Sequence, residues 1–174
     1  IDNYYQIKNI INFYKNLLTF WHNTVILKLF QGEKGRNDLR ITHEADYAIR
    51  VTYCLALAGE KQCAKDISEV TGVTLRFALK ILRKLTQSGI TKSYKGVAGG
   101  YELNHSPSEI SLGAIIECID GPIAINHCLA NEFQCTHMGT QKECDFHRVF
   151  SEINRSLRDQ LCSITMDRFL PPQK

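Results

Sequence analysis

Apolar residues recur every three or four positions along three segments in the middle of the chain, a spacing typical of amphipathic helices. The first segment covers residues 41–59 and ends at a glycine, and the second covers residues 64–71. Gly72 then predicts a turn, and Thr74 is a favourable cap for the third segment, residues 75–87. The pattern therefore predicts a helix, a tight turn and a further helix.

The third of these helices has two contrasting faces. Its apolar face is predicted to consist of Leu75, Ala78, Leu79, Leu82 and Leu85. Its opposite face carries Arg76, Lys80, Arg83 and Gln87. Between residues 74 and 95 the chain has no acidic residue, although its net charge is only +3. Positive charge is therefore concentrated on this helix and on the segment that follows it.

The helical spacing of apolar residues ends at Gly89. Residues 90–94 and 101–103 are short and β-prone, and a glycine-rich turn separates them, which predicts a small hairpin or wing. Ser111 then caps a short helix that ends at Gly121. Residues 144–166 carry a last apolar stripe at helical spacing, and a stripe of this length needs a partner surface. Its members are Phe146, Phe150, Ile153, Leu157, Leu161 and Ile164.

These elements predict a mainly α fold with a small β-hairpin wing, a winged helix-turn-helix with a long C-terminal dimerisation helix. We expect residues 1–38 to be an extension outside the core fold, with native translation beginning near Leu39. Residues 39–105 are predicted to form the DNA-binding domain, 106–143 a short helix and a cysteine-bearing loop, and 144–170 the dimerisation helix.

The composition favours a folded, soluble protein, because 44% of the 174 residues are hydrophobic and 22% are charged. No apolar stretch is long enough to predict a membrane span. Seven cysteines without a signal-peptide pattern favour a reducing cytoplasm. The motifs of common hydrolases and nucleotide-binding enzymes are missing, so we expect no enzymatic activity.

A basic helix after a tight turn and before a hairpin favours binding to double-stranded DNA, with the helix in the major groove. Two alternatives are a merely solvated basic surface and a winged-helix adaptor that binds a protein. In the DNA-binding interpretation Lys95 lies at the tip of the wing. The candidate contact residues are Thr74, Leu75, Arg76, Phe77, Lys80, Arg83, Lys84, Lys95 and Gly99.

The chain resembles the Rrf2 family of winged-helix regulators, and within it the iron-sulfur type represented by IscR and NsrR. The resemblance covers Leu39 to about Phe169 and rests on the Gly121-Pro122 turn and on residues 40–42, 46–50, 66–69, 72–73, 82–85, 89–90 and 95–101. It implies a homodimer that binds a palindromic operator through the winged helices. It does not by itself imply a cluster, because some members of the family have none.

Three cysteines and a histidine lie in and after the predicted loop. Cys128, Cys135 and Cys144 are separated by six and eight residues, and His147 follows shortly after. Three thiolates and one imidazole are a complete ligand set for iron or zinc. Zinc and disulfide chemistry remain alternatives at this point. Cys54, Cys63, Cys118 and Cys162 are predicted to be buried small hydrophobic residues.

The family resemblance implies that the three loop cysteines hold a two-iron or four-iron cluster. It offers His147 as the fourth ligand by the IscR pattern and Asp46 by the NsrR pattern. The predicted function is a transcriptional regulator, expected to be a repressor, that senses iron-sulfur status, oxygen or redox state, or nitric oxide. The alternatives are a zinc-binding or cluster-free regulator and a protein-binding adaptor.

Overall fold

The computed structural model describes residues 41–96, 98–129 and 144–172. These residues form five α-helices and one two-stranded antiparallel sheet. In chain order the elements are α1 (His43–Ala58), α2 (Ala64–Thr71), α3 (Leu75–Gln87), β1 (Thr91–Tyr94), β2 (Gly100–Leu103), α4 (Leu112–Asp120) and α5 (Asp145–Ser163). The predicted mainly α fold with a small hairpin is confirmed.

Local sequence signals set the helix ends. Thr42 Oγ1 accepts a hydrogen bond from Ala45 N at the start of α1, and Gly59 ends that helix in the left-handed conformation. Ser111 caps α4 in the same way. Thr74 occupies the cap position of α3 as predicted, but its hydroxyl makes no capping hydrogen bond. The cap at α3 is therefore one of backbone conformation only.

The hydrophobic core lies around α1, which packs against α2, α3, α4 and β2. Ala48, Val51 and Leu55 of α1 are 2% exposed or less and line the centre of this core. Thr52 is also fully buried, and its hydroxyl is satisfied because it donates to the Ala48 carbonyl. The same buried cluster includes Ile67, Ile81, Leu82, Leu85, Ile115, Ile119 and Met166 from the other elements.

The predicted apolar face of α3 is wrong at two positions. Leu75 is 44% exposed and Leu79 is 41% exposed, whereas Ile81 is fully buried. At 100° per residue the buried stripe is centred between residues 78 and 85, and positions 75 and 79 fall at its edge. Both leucines therefore lie beside the basic face rather than in the core.

The wing is an antiparallel hairpin in which Thr91 pairs with Leu103 and Tyr94 pairs with Gly100. An isolated bridge between Gln62 and Tyr101 attaches β2 to the segment before α2. Gly100 allows this attachment, because an added Cβ would lie 2.6 Å from the Gln62 carbonyl oxygen. The base of the wing is thus fixed to the helical part of the fold.

The last helix ends earlier than predicted. It stops at Ser163, and the extended segment after it pairs with the residues before α4. Leu112 N donates to Ile164 O at 2.9 Å, and Met166 N donates to Ile110 O at 2.9 Å. This turn places Met166, which is 1% exposed, in the core. Burial of Met166 therefore favours an end of the helix at Ser163 over its continuation.

Two polar links join α5 to α4 and to the residues after it. Asn154 accepts a hydrogen bond from Ile125 N and donates one to Ile123 O. Arg158 makes two hydrogen bonds to the Glu117 carboxylate, at 2.6 and 3.0 Å. In the described part of the chain no helix combines the length and the apolar character that a membrane crossing requires.

Candidate nucleic-acid interface

The polar face of α3 is exposed along its whole length. Thr74, Arg76, Lys80 and Arg83 are all exposed. Within the described ranges neither Arg76 nor Arg83 forms an ion pair, so both guanidinium groups are available to a partner. The face can therefore present positive charge to a polyanion.

One carboxylate on α1 lies beside this face. Glu44 binds Lys80 Nζ through Oε2 at 2.7 Å and Lys84 Nζ through Oε1 at 2.8 Å. Hydrogen bonds from Lys80 and then from Lys84 hold the pKa of Glu44 below its ordinary value. Lys84 also donates to Ile119 O at the end of α4, at 3.3 Å. Two predicted contact residues of α3 are thus paired internally.

Phe77 is half-buried and has partners within the fold. Its ring lies edge-to-face with that of Tyr47, with centroids 5.7 Å apart. Lys80 Nζ lies 5.7 Å from the centroid of the Phe77 ring. Phe77 therefore anchors the first turn of α3 to α1 and supports the Lys80 side chain. The exposed leucines, Leu75 and Leu79, offer the freer apolar surface.

The wing adds further basic residues. Lys95 is exposed at the end of β1. Lys92 is paired with Glu102 at 2.8 Å on the facing strand, and hydrogen bonds from Lys92 and from Tyr94 lower the pKa of Glu102. Gly99 closes the turn by donating from its N–H to Gly96 O at 2.9 Å. Lys95 is therefore the wing cation that the structure leaves most available.

The candidate metal ligands fall in different parts of the chain. Cys135 lies outside the described residues. Cys144 is the residue immediately before α5, and His147 lies in the first turn of that helix. Cys128 lies in a short 3₁₀ turn, His127–Leu129, that packs against α5. Asp46 pairs instead with Arg50 at 2.8 Å.

Where the chain is described, no three of its His, Cys, Asp and Glu side chains are arranged to hold a metal ion. His147 Nδ1 is nonetheless buried with no hydrogen-bond partner among the described residues. A buried ring nitrogen without a partner is costly, and a metal ion or a further ligand would satisfy it.

The remaining cysteines behave differently from one another. Cys63 was expected to be buried, but it is exposed, and its sulfur accepts a hydrogen bond from Asp66 N at the start of α2. It is exposed because the cap position lies outside the apolar stripe of that helix. Burial raises the pKa of the Cys54 thiol to about 11. Cys118 and Cys162 are half-buried.

Sequence reasoning missed two residues of this surface, Glu44 and Leu79. The period of α3 predicted Leu79 to be buried, although its position at the edge of the stripe was available as a signal. Glu44 lies 36 residues before Lys80. Nothing in the local pattern indicates a pair at this separation.

Comparisons with known proteins agree with this geometry. The Rrf2 family, described as iron-dependent transcriptional regulators, matches residues 41–172. An HTH-type transcriptional regulator of Mycobacterium tuberculosis is 35% identical over 88 residues, which cover 49% of this chain and 55% of that relative. The chain thus spans little more than half the length of this relative. IscR of Pectobacterium carotovorum is 27% identical over 76% of this chain and 79% of its own length.

Solved structures show the same fold. CymR, the global cysteine regulator of B. subtilis, superposes with a TM-score of 0.60 at 21% identity, over 76% of this chain and 96% of its own. IscR of T. potens gives a TM-score of 0.56 at 23% identity, over 78% and 88% of the two chains. Since the family match covers the helices, the wing and the last helix, this chain belongs to the Rrf2 family of transcriptional regulators.

Proposed function

We propose that this protein is a DNA-binding transcriptional regulator that places α3 in the major groove of its operator and the wing beside the neighbouring groove. The observation that carries the proposal is the exposed basic face of α3, with Arg76 and Arg83 unpaired among the described residues and Lys95 at the end of β1. Duplex phosphates attract these cations and set the position of the protein on DNA.

The start of α3 supplies the residues for base contacts. Thr74, Leu75 and Arg76 are exposed in its cap and first turn, and Leu79 lies one turn further along. Arginine suits the edge of guanine, and an apolar side chain suits the methyl group of thymine. We assign the apolar contact to Leu75 and Leu79, because the Phe77 ring packs against Tyr47.

The last helix provides the surface for a homodimer. Phe146, Val149 and Ile153 are 75%, 45% and 51% exposed and lie three and four residues apart on α5. An apolar stripe of this kind is unfavourable in water and favours pairing with a second copy. A two-fold dimer presents two α3 helices to successive major grooves, about 34 Å apart, and so requires a palindromic operator.

The sensor proposed for this regulator is an iron-sulfur cluster held by Cys128, Cys135 and Cys144, with zinc as the alternative metal. The unpartnered Nδ1 of His147 supports this histidine as the fourth ligand. Asp46 is engaged by Arg50, so ligation by Asp46 requires that this ion pair break. A bound cluster would supply sensitivity to iron supply, oxygen or nitric oxide.

A gel-shift titration of the full chain tests DNA binding. Fragments of genomic DNA are titrated at two salt concentrations, and we expect retarded complexes whose affinity falls steeply with salt. An affinity that does not depend on salt would contradict the phosphate contacts. A chain that binds proteins from a cell extract but retards none of the DNA fragments would favour the adaptor alternative.

The cluster has its own test. Protein purified without oxygen is analysed by visible absorbance and for iron, sulfide and zinc, and Cys135→Ala is expected to lose the absorbance. Cys63→Ser is the matched control, because serine keeps a cap at α2 and Cys63 lies outside the ligand set. A full spectrum in Cys135→Ala would remove Cys135 from the site.

A further inference from the structure

We propose that Glu44 is a specificity-determining residue that competes with DNA phosphate for the ammonium group of Lys80. The inference rests on the proposed DNA-binding function and concerns the same face of α3. It assigns a role to a side chain that itself makes no contact with DNA.

The geometry of the pair supports competition. Each carboxylate oxygen of Glu44 holds one lysine, Oε2 that of Lys80 and Oε1 that of Lys84. The Glu44 side chain is only 19% exposed, so it lies beneath the edge of the basic face rather than projecting from it. From there it draws Lys80 back towards α1.

The two lysines differ in how firmly they are held. Lys84 is 35% exposed and also donates to Ile119 O, so it has two partners within the fold. Lys80 is 55% exposed, Glu44 is its single ion-pair partner among the described residues, and the Phe77 ring, with its centroid 5.7 Å from Nζ, adds only a weak, exposed cation-π contact. Lys80 can therefore leave while Lys84 stays, and Glu44 is not left as an unpaired, largely buried charge.

Because Lys80 is held less firmly than Lys84, its contacts can differ between the operator and non-specific DNA. On an arbitrary sequence, a phosphate can take Lys80 only by replacing Glu44, so one ion pair is exchanged for another with little gain. On the correct sequence, a base edge in register with Lys80 adds hydrogen bonds that Glu44 does not offer. The internal carboxylate therefore lowers non-specific affinity more than specific affinity.

The experiment measures binding of the full chain to a fluorescent duplex of random sequence, about 30 base pairs long so that it spans two half-sites. Anisotropy titrations over a series of salt concentrations give the affinity and its salt slope. The variants are Glu44→Gln, Lys80→Gln and the two combined, and Arg83→Gln is the reference for loss of an unpaired cation of α3. Glu69→Gln is the control, because it makes the same charge change at an exposed carboxylate that is 4.0 Å from Lys65 on α2.

We expect Glu44→Gln to tighten binding to random DNA by up to about fivefold per subunit, the size of one exposed ion pair. The salt slope should become steeper by about 0.9 per subunit, because each Lys80 then displaces one more counterion. Lys80→Gln alone should leave affinity and slope unchanged, and in the combined variant it should remove the gain. Glu69→Gln should leave the slope unchanged.

The inference is overturned if Lys80→Gln weakens random-DNA binding as much as Arg83→Gln does, or if Glu44→Gln leaves the slope unchanged. If either result occurs while Arg83→Gln still weakens binding, the inference about Glu44 fails but the proposed DNA-binding function stands. No binding by the unaltered chain would overturn both. Thermal unfolding is recorded for every variant. If Glu44→Gln is unfolded, the comparison of Lys80→Gln with Arg83→Gln tests the inference by itself.

Discussion

Gly113 lies where α4 packs tightly against the end of α5. A Cβ added there would lie 2.6 Å from Cys162 Sγ and 3.1 Å from Cys162 N. Both distances are shorter than ordinary van der Waals contact, and one involves backbone that cannot turn away. A residue without a side chain is therefore required for these helices to pack, and Cys162 fills the space that the glycine leaves.

We predict that Gly113→Ala lowers the free energy of unfolding by about 1–3 kcal/mol, the usual cost of overpacking a closely packed site. Chemical denaturation of the purified chain measures it. Adding Cys162→Ala should recover part of the loss, because it removes the sulfur but not the backbone contact. A Gly113→Ala protein as stable as the unaltered chain would mean that the two helices can separate at no cost.

The positions of single residues on α3 were only partly predictable from the sequence. Arg76 and Arg83 were predicted to be exposed, and they are, because a helix places residues seven apart on one face. Leu79 was misplaced because apolar character alone does not say which edge of a stripe meets the core. The pairing of Glu44 with Lys80 depends on how α1 crosses α3, and no local pattern encodes that crossing.

At the scale of elements, α4 and α5 are joined by the ion pair between Glu117 and Arg158. Hydrogen bonds from Arg158 hold the pKa of Glu117 below its ordinary value of 4.5. Because the folded pKa is the lower one, the pair contributes fully to stability above pH 4.5. That contribution is lost as the pH falls through the lowered pKa.

We therefore predict that Glu117→Gln reduces stability at neutral pH and that its difference from the unaltered chain shrinks below about pH 4.5. Melting temperatures measured from pH 7 to pH 3 give the comparison. Glu152→Gln, at an exposed carboxylate 3.7 Å from Arg148, should show a smaller difference. A difference for Glu117→Gln that grows towards acid pH would contradict the assigned pair.

The wing depends on a glycine in its turn. A Cβ at Gly99 would collide with the Tyr94 carbonyl oxygen and would lie 2.8 Å from the Gly96 carbonyl oxygen. We predict that Gly99→Ala distorts the hairpin and weakens DNA binding, with a small change in melting temperature because most side chains of the buried cluster belong to the helices. Ala98→Ser, at the exposed neighbouring position, should bind normally.

The secondary-structure elements were largely predictable because their ends carry strong signals. The turns at Gly59 and Gly72 and the cap at Ser111 gave the bounds of α1, α2 and α4. The end of α5 was not predictable from its apolar period, which continues to Ile164. The helix stops because Met166 is buried in the core, and such tertiary burial is invisible to a periodic pattern.

At the scale of the whole molecule, α5 has an apolar side that the single chain leaves exposed. None of its residues is buried, and its 19 residues extend about 28 Å. We predict that Ile153→Glu shifts the protein from dimer to monomer in analytical ultracentrifugation and weakens operator binding. Arg155→Gln, which makes the same change of charge on the exposed polar side of this helix, is the control. A dimer retained in Ile153→Glu would place the interface elsewhere.

The domain boundaries given from the sequence remain predictions, and so does the iron-sulfur cluster. The winged-helix fold and the family are established by the match over residues 41–172 and by the solved relatives. In the proposed function, the exposed cations of α3 and of the wing bind the phosphates of the operator.

The salt dependence of DNA affinity tests this phosphate binding most directly. The full chain and the Arg83→Gln/Lys95→Gln variant, which keeps the base-contact candidate Arg76, are compared on the same duplex, with Arg168→Gln as a control for charge outside α3 and the wing. Loss of two phosphate contacts per subunit should weaken binding and reduce the slope of log affinity against log salt by about 1.8 per subunit. An unchanged slope in the double variant, with a folded protein, would contradict the account.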